Sequence, residues 1–255
     1  MITCKSPREI SLMKEAGQVV AKVFEGLKAE LRPGISTQYL DDLADKIIKE
    51  NDAISGSRGY YGYPGCICIS VNDTLVHGIP SNKIILKEGD IVSLDVVVKK
   101  HGYYADACRT YPVGVIKENA RKLMEITRES FWEAVKLVKP GVHLGDISHK
   151  VQEVNESHGY SIPRDYTGHG IGKEMHEDPT VPNYGKEGTG VILQEGMTFC
   201  IEPMVAEGKP FTRVLGDGWT AKMKDGKLSC HYENTVLVTE DGFEILTLDK
   251  GEVIN

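Results

Sequence analysis

The chain has 255 residues, 40% apolar and 26% charged, which excludes a disordered or fibrous protein and allows a sizeable core. Lysine and arginine total 30 against 37 acidic residues, a formal net charge of -7, so there is no basic field to hold nucleic acid or an anionic membrane. No apolar run nears the roughly 20 residues that cross a bilayer, and the first residues lack a signal peptide's apolar core. We therefore expect a cytoplasmic protein whose six cysteines need no disulfide framework.

Ser6-Pro7-Arg8-Glu9 is a capping box with proline at the first helical position, and Ile10, Met13, Val20, Phe24 and Leu27 follow on one helical face. This helix should end before Arg32-Pro33-Gly34. A second begins near Ser36 or Thr37, with Leu40, Leu43, Ala44, Ile47 and Ile48 as its apolar stripe. Cys66-Ile67-Cys68 lacks the second cysteine or histidine pair that a tetrahedral zinc site needs. Ile91 to Val98 reads as a buried strand carrying Asp95, and a hairpin turning at Lys100-His101 would set Asp95 directly opposite Asp106. Facing carboxylates repel unless a cation lies between them. The alternatives are that Asp106 pairs with Arg109 or that the strands take another register.

The helix, Pro-Gly turn, helix unit then returns, with Met124, Phe131, Val135 and Val138 before Lys139-Pro140-Gly141-Val142, and Ile147, Val151 and Val154 after it. The offset is 107 residues throughout: Phe24 matches Phe131, Pro33 matches Pro140 and Ile47 matches Val154. Leu86 to Asp95 lies over Leu193 to Glu202, so Asp95 falls on Glu202. We expect an α/β (α+β) fold in one catalytic domain over 1–255, duplicated as roughly 1–110 and 111–255. Glu233, in the apolar strand from His231 to Val238, is a fourth carboxylate, and His169 in Thr167-Gly168-His169-Gly170-Ile171-Gly172 supplies an imidazole whose flanking glycines would let a metal approach. Four carboxylates in one buried site carry a charge that calls for roughly two divalent cations, Mn(II), Fe(II), Co(II) or Zn(II). A two-metal site hydrolyses amides or esters. His176-Glu177 lacks the second histidine of H-E-x-x-H because Thr180 stands there, GHGIG lacks dinucleotide spacing, and no G-x-S-x-G elbow is present.

Gly62-Tyr63-Pro64, Ser70-Val71-Asn72-Asp73, His77-Gly78-Ile79-Pro80, Leu94-Asp95-Val96, Ala105-Asp106, the His169 glycine run, His176-Glu177-Asp178-Pro179, Ile201-Glu202-Pro203 and Tyr232-Glu233 together resemble the type I methionine aminopeptidases, metallopeptidases of the pita-bread fold. The resemblance covers nearly the whole chain. It implies two pseudo-twofold halves with a central antiparallel sheet covered by helices, and Asp95, Asp106, His169, Glu202 and Glu233 as ligands of two metal ions. It further implies His77 near the scissile nitrogen, His176 on the substrate carbonyl oxygen, and Glu202 as proton shuttle. Tyr60, Tyr63, Cys68, Trp219 and Met175 would line the methionine side-chain pocket.

The implied reaction is attack by a metal-bridging hydroxide, removing methionine from nascent proteins and peptides with a small second residue. The partner is then a nascent polypeptide N-terminus, met at or away from the ribosome, with no nucleic acid or membrane contact and a monomer as the working state. Departures occur at Ser57, Met175, His231 and Asn234, where many relatives carry cysteine, phenylalanine, glutamine and histidine. His101, His143, His149, His158 and His231 are read as turn or surface residues. Proline-specific peptidases of the same fold usually carry an additional N-terminal domain, and a non-catalytic module of the fold would be expected to have lost ligands.

Overall fold

Local capping chemistry starts the first helix where the sequence places it. In the computed structural model, which describes residues 2–249, α1 (Pro7–Glu30) begins with the Ser6 hydroxyl accepting from the Glu9 amide at 3.4 Å while the Glu9 carboxylate accepts from the Ser6 amide at 2.8 Å. The Ser36 hydroxyl caps α2 (Thr37–Glu50) by accepting from the Tyr39 amide. The second pair is α3 (Glu118–Val135) and α4 (Leu144–Ser157). No helix among the described residues is long and apolar enough to cross a membrane.

The strands in chain order are β1 (Ile54–Ser55), β2 (Cys68–Val71), β3 (Thr74–Val76), β4 (Ile91–Lys100), β5 (Tyr103–Pro112), β6 (Gly168–Gly170), β7 (Glu177–Val181), β8 (Thr198–Ile201), β9 (Met204–Ala206), β10 (Thr212–Val214), β11 (Ala221–Met223), β12 (Ser229–His231), β13 (Glu233–Val238) and β14 (Phe243–Ile245). The main sheet is antiparallel in the order β1-β4-β5-β13-β8-β6-β7, with β2 also on β4 and β14 on β13. Val92, Leu94, Val96 and Val98 of β4 pack with α1 and α2, and Phe199, Ile201, Val236 and Val238 of β8 and β13 pack with residues of α3 and α4. Strand alternation therefore turns Asp95, Asp106, Cys200 and Glu233 to the face away from the helices.

The halves repeat in their hydrogen bonds. Gly34 donates to the Leu86 carbonyl and Gly141 to the Leu193 carbonyl, while isolated bridges join Ser36 to Ile85 and His143 to Ile192, all offset by 107 residues. Gly34 and Gly141 both take positive φ, +93° and +90°, which closes each Pro-Gly turn. The pseudo-twofold pita-bread architecture passes between β5 and β13, which meet through only two residue pairs, Glu233 with Cys108 and Asn234 with Ala107. The copies differ after Glu202. Pro203 has no amide hydrogen to give, and the run matching β4 breaks into β8 and β9 there.

The β4–β5 hairpin corrects the expected register by one residue in the turn. Lys100 pairs with Tyr103, and His101 and Gly102 form the two-residue loop with φ of +50° and +84°, so Asp95 faces Cys108 and Asp106 faces Val97. Asp95 and Asp106 are thus diagonal neighbours on one face rather than directly opposed. Arg109 lies on the other face, donating to the Glu233 carbonyl at 2.5 Å and the Asn234 amide oxygen at 2.8 Å, so it is not the partner of Asp106.

Candidate metal centre

Five separate elements deliver the donors. Asp95 comes from β4, Asp106 from β5, His169 from β6, Glu202 from the residue after β8, and Glu233 from the first position of β13. His169 Nε2 lies 3.8 Å from an Asp106 oxygen and 3.5 Å from a Glu202 oxygen. Donor atoms of Asp106, His169, Cys200 and Glu233 all fall within 4.8 Å of one another, as do those of Glu202, His231 and Glu233. Asn183 donates to the Glu202 carbonyl at 2.9 Å and so fixes the backbone that carries this carboxylate.

The electrostatics demand positive charge. Burial raises Asp95 and pushes Asp106, Glu202 and Glu233 well above the ordinary carboxylate range, and neighbouring carboxylates push the last three further. Asp106 Oδ1, Glu202 Oε1 and Glu233 Oε1 are buried without a hydrogen-bond partner, and among the described residues none of the four carboxylates forms an ion pair with lysine or arginine. Oxygen donors this close, with one imidazole, fit divalent metal ions. Burial lowers His169 to about 3, which keeps it in the neutral ligating form. Its Nδ1 meets the Gly170 carbonyl at 3.0 Å and must carry the proton there, which leaves the Nε2 lone pair facing Asp106 and Glu202.

Above the donors is a cavity of about 330 Å³ whose walls include Tyr60, Tyr63, Cys68, Met175 and Trp219, with His77 and His176 beside them. Tyr63 is buried, donates to the Gly78 carbonyl at 2.8 Å and meets Trp219 edge-on at 5.2 Å. His77 is held at φ +59° ahead of Gly78, where an added Cβ would stand 2.1 Å from the Ile69 carbonyl oxygen. Tyr60 is hydrogen-bonded to His176 Nδ1 at 2.7 Å, and the His176 ring lies 4.2 Å from that of His169, tilted to it by 58°.

Residues 11–240 match the profile of metallopeptidase family M24. The chain belongs to this family. It is 47% identical to methionine aminopeptidase 1 of Bacillus subtilis over 97% of this chain and 99% of that one, and 44% identical to the methionine aminopeptidase of Escherichia coli over 99% and 96%. The crystal structure of the Thermotoga maritima methionine aminopeptidase superposes with a TM-score of 0.96 at 46% identity, covering 98% of this chain and all of that one. The prolidase of Pyrococcus furiosus gives 0.79 at 26% identity, covering 97% of this chain and 66% of that one.

Two features of this M24 metallopeptidase depart from the sequence expectation. His231 is no surface residue: it is 2% exposed at the end of β12, with Nε2 at 3.6 Å from Glu202 and 3.8 Å from Glu233. The signal was its place two residues before Glu233, since alternate strand positions share a face. The glycines around His169 serve backbone packing, because β6 lies between β7 and β8: a Cβ on Gly168 would stand 2.4 Å from the Cys200 carbonyl, and one on Gly170 2.1 Å from that of Asp178. Cys200, buried among the donors, carried no mark in the sequence, which sets it in an ordinary apolar strand. His101 occupies the hairpin turn, His149 and His158 lie on α4 and at its end, and His143 precedes α4, its amide donating to Asp146.

Proposed function

We propose that this chain is a cytoplasmic, monomeric methionine aminopeptidase that releases methionine from nascent polypeptides and peptides whose second residue is small. The observation that carries the reading is the clustering of Asp106, His169, Glu202 and Glu233 at metal-donor distances, with Asp95 lining the same aromatic and sulfur-lined cavity. Asp95, Asp106, His169, Glu202 and Glu233 would hold two divalent ions, with Co(II), Mn(II), Fe(II) and Zn(II) as candidates. The metals, when bound, polarise the scissile carbonyl and lower the pKa of the attacking water.

The protein's own groups supply the rest. Cys68, Met175, Tyr63 and Trp219 offer polarizable surface suited to a thioether. We assign the Tyr60 hydroxyl as the donor in its 2.7 Å hydrogen bond with Nδ1, so that His176 keeps its proton on Nε2 and presents it to the carbonyl oxygen as negative charge develops there. Burial lowers His77 to about 4, so it meets the scissile nitrogen as a neutral imidazole. Glu202 takes the proton of the attacking water and passes it to the leaving amine.

The test is release of free amino acid from Met-Ala-Ser and from Ala-Pro-Ser by metal-stripped protein titrated with each of the four ions. Methionine release that requires metal, with no cleavage before proline, is expected. Cleavage of the proline peptide alone would make the chain prolidase-like, and silence with every ion would overturn the enzymatic reading.

A further inference from the structure

We infer that His231 is itself a metal ligand in this chain, sharing one ion with Glu202 and Glu233; this rests on the metal-centre reading above. The imidazole is buried, and Nε2 has no hydrogen-bond partner, although buried side-chain nitrogens almost always find one. The carboxylate oxygens beside it, Glu202 Oε2 at 3.6 Å and Glu233 Oε2 at 3.8 Å, are beyond the roughly 3.2 Å limit of a good N–H···O bond. Those separations do suit donors around a common ion, since two ligands each about 2.0 to 2.2 Å from a metal lie no more than about 4.4 Å apart.

The backbone is built to hold the ring there. Thr110 clamps His231 from both sides, its hydroxyl donating to the His231 carbonyl at 2.7 Å and accepting from the His231 amide at 3.3 Å. β12 pairs with β9 so that His231 lies against Met204, two residues beyond Glu202. His231 and Glu233 flank Tyr232 where β12 passes into β13, so both donors reach the site from one stretch of chain. A second imidazole shifts the centre away from the oxygen-only preference of Mn(II) and toward Zn(II), Fe(II) or Co(II).

Zinc K-edge absorption on metal-stripped protein reloaded with two equivalents of Zn(II) counts the imidazoles directly. The wild type should show two imidazoles for the two ions, and His231→Gln, checked for folding by circular dichroism, should show half that number. As a measurement that needs no variant, nitrogen NMR of wild type labelled at histidine should show two ring nitrogens taking on the shift of direct zinc coordination. Two ions bound with an unchanged imidazole count in the variant, or one coordinated ring nitrogen in the wild type, would overturn the role of His231 and leave the metal centre standing. Failure of the wild type to bind any divalent ion would overturn both.

Discussion

Glu202 stands where the sheet stops, at a strand end that Pro203 prevents from continuing. Glu202→Gln keeps size and one oxygen donor but removes the proton acceptor, so methionine release should fall by at least about 100-fold while the circular dichroism spectrum is unchanged. The acids around it make a second prediction. In metal-free protein Glu202 titrates well above its ordinary 4.5, so the folded chain retains a proton that the unfolded chain has lost. Stability without metal should therefore decline as pH rises above about 4.5, and metal binding should release protons and remove that decline. Melting curves of stripped and loaded protein across pH, with calorimetry in two buffers of different ionisation heat, check both signs. At this scale the sequence showed its charges well: buried acids need a cation, and that demand made Asp95 and Asp106 candidates, although the two are diagonal and not opposed. His231 escaped because a histidine in an apolar strand looks the same whether it fills space or faces a metal.

The capping box of α1 is an element-level device whose parts were all legible, since Ser6, Pro7 and Glu9 act within one turn. Ser6→Ala should cost about 1 kcal/mol in urea unfolding. Hydrogen bonds from the Ser6 amide and hydroxyl, and then from Tyr103, hold Glu9 down to about 2 from 4.5. Its contribution is complete above about 4.5 and disappears as pH falls toward 2, so the Glu9→Gln and wild-type stabilities should converge at the acid end. Long-range register was harder to read. The β4–β5 turn depends on His101 accepting a left-handed backbone, which a residue with a side chain seldom does, and nothing local marks it. The period-two pattern nonetheless assigned Asp95 and Asp106 to the right face, because a turn moved by one position shifts the pairing by two residues.

Across the whole molecule, the proposed ligands come from both sides of the two-pair seam between β5 and β13, Asp95 and Asp106 from one half and His169, Glu202 and Glu233 from the other. Metal binding should tie the halves together: free ion at 100 times its Kd adds about 2.7 kcal/mol to global stability, and amide exchange should slow most at Ala107, Cys108 and Asn234. Equal slowing everywhere would show that the ions stabilise without bridging the seam. The constant offset made the two halves legible as copies, but it could not reveal what the second copy had added.

That addition has a geometric meaning. A twofold axis through the Ala107–Asn234 pair exchanges Asp106 with Glu233, just as the repeat exchanges Asp95 with Glu202, so the four acids are two symmetric pairs. Asp106 lies eleven positions after Asp95, whereas Glu233 lies 31 after Glu202, and the extra chain falls between β9 and β12, where it builds β10 and β11 with Trp219. A peptide has a direction and a twofold axis has none. Acids placed in twofold-related pairs supply no such arrow by their positions, and the distinction between amino terminus and carboxyl terminus must come from the unpaired pieces: His77, His169 and His176, and the loop that only one copy grew.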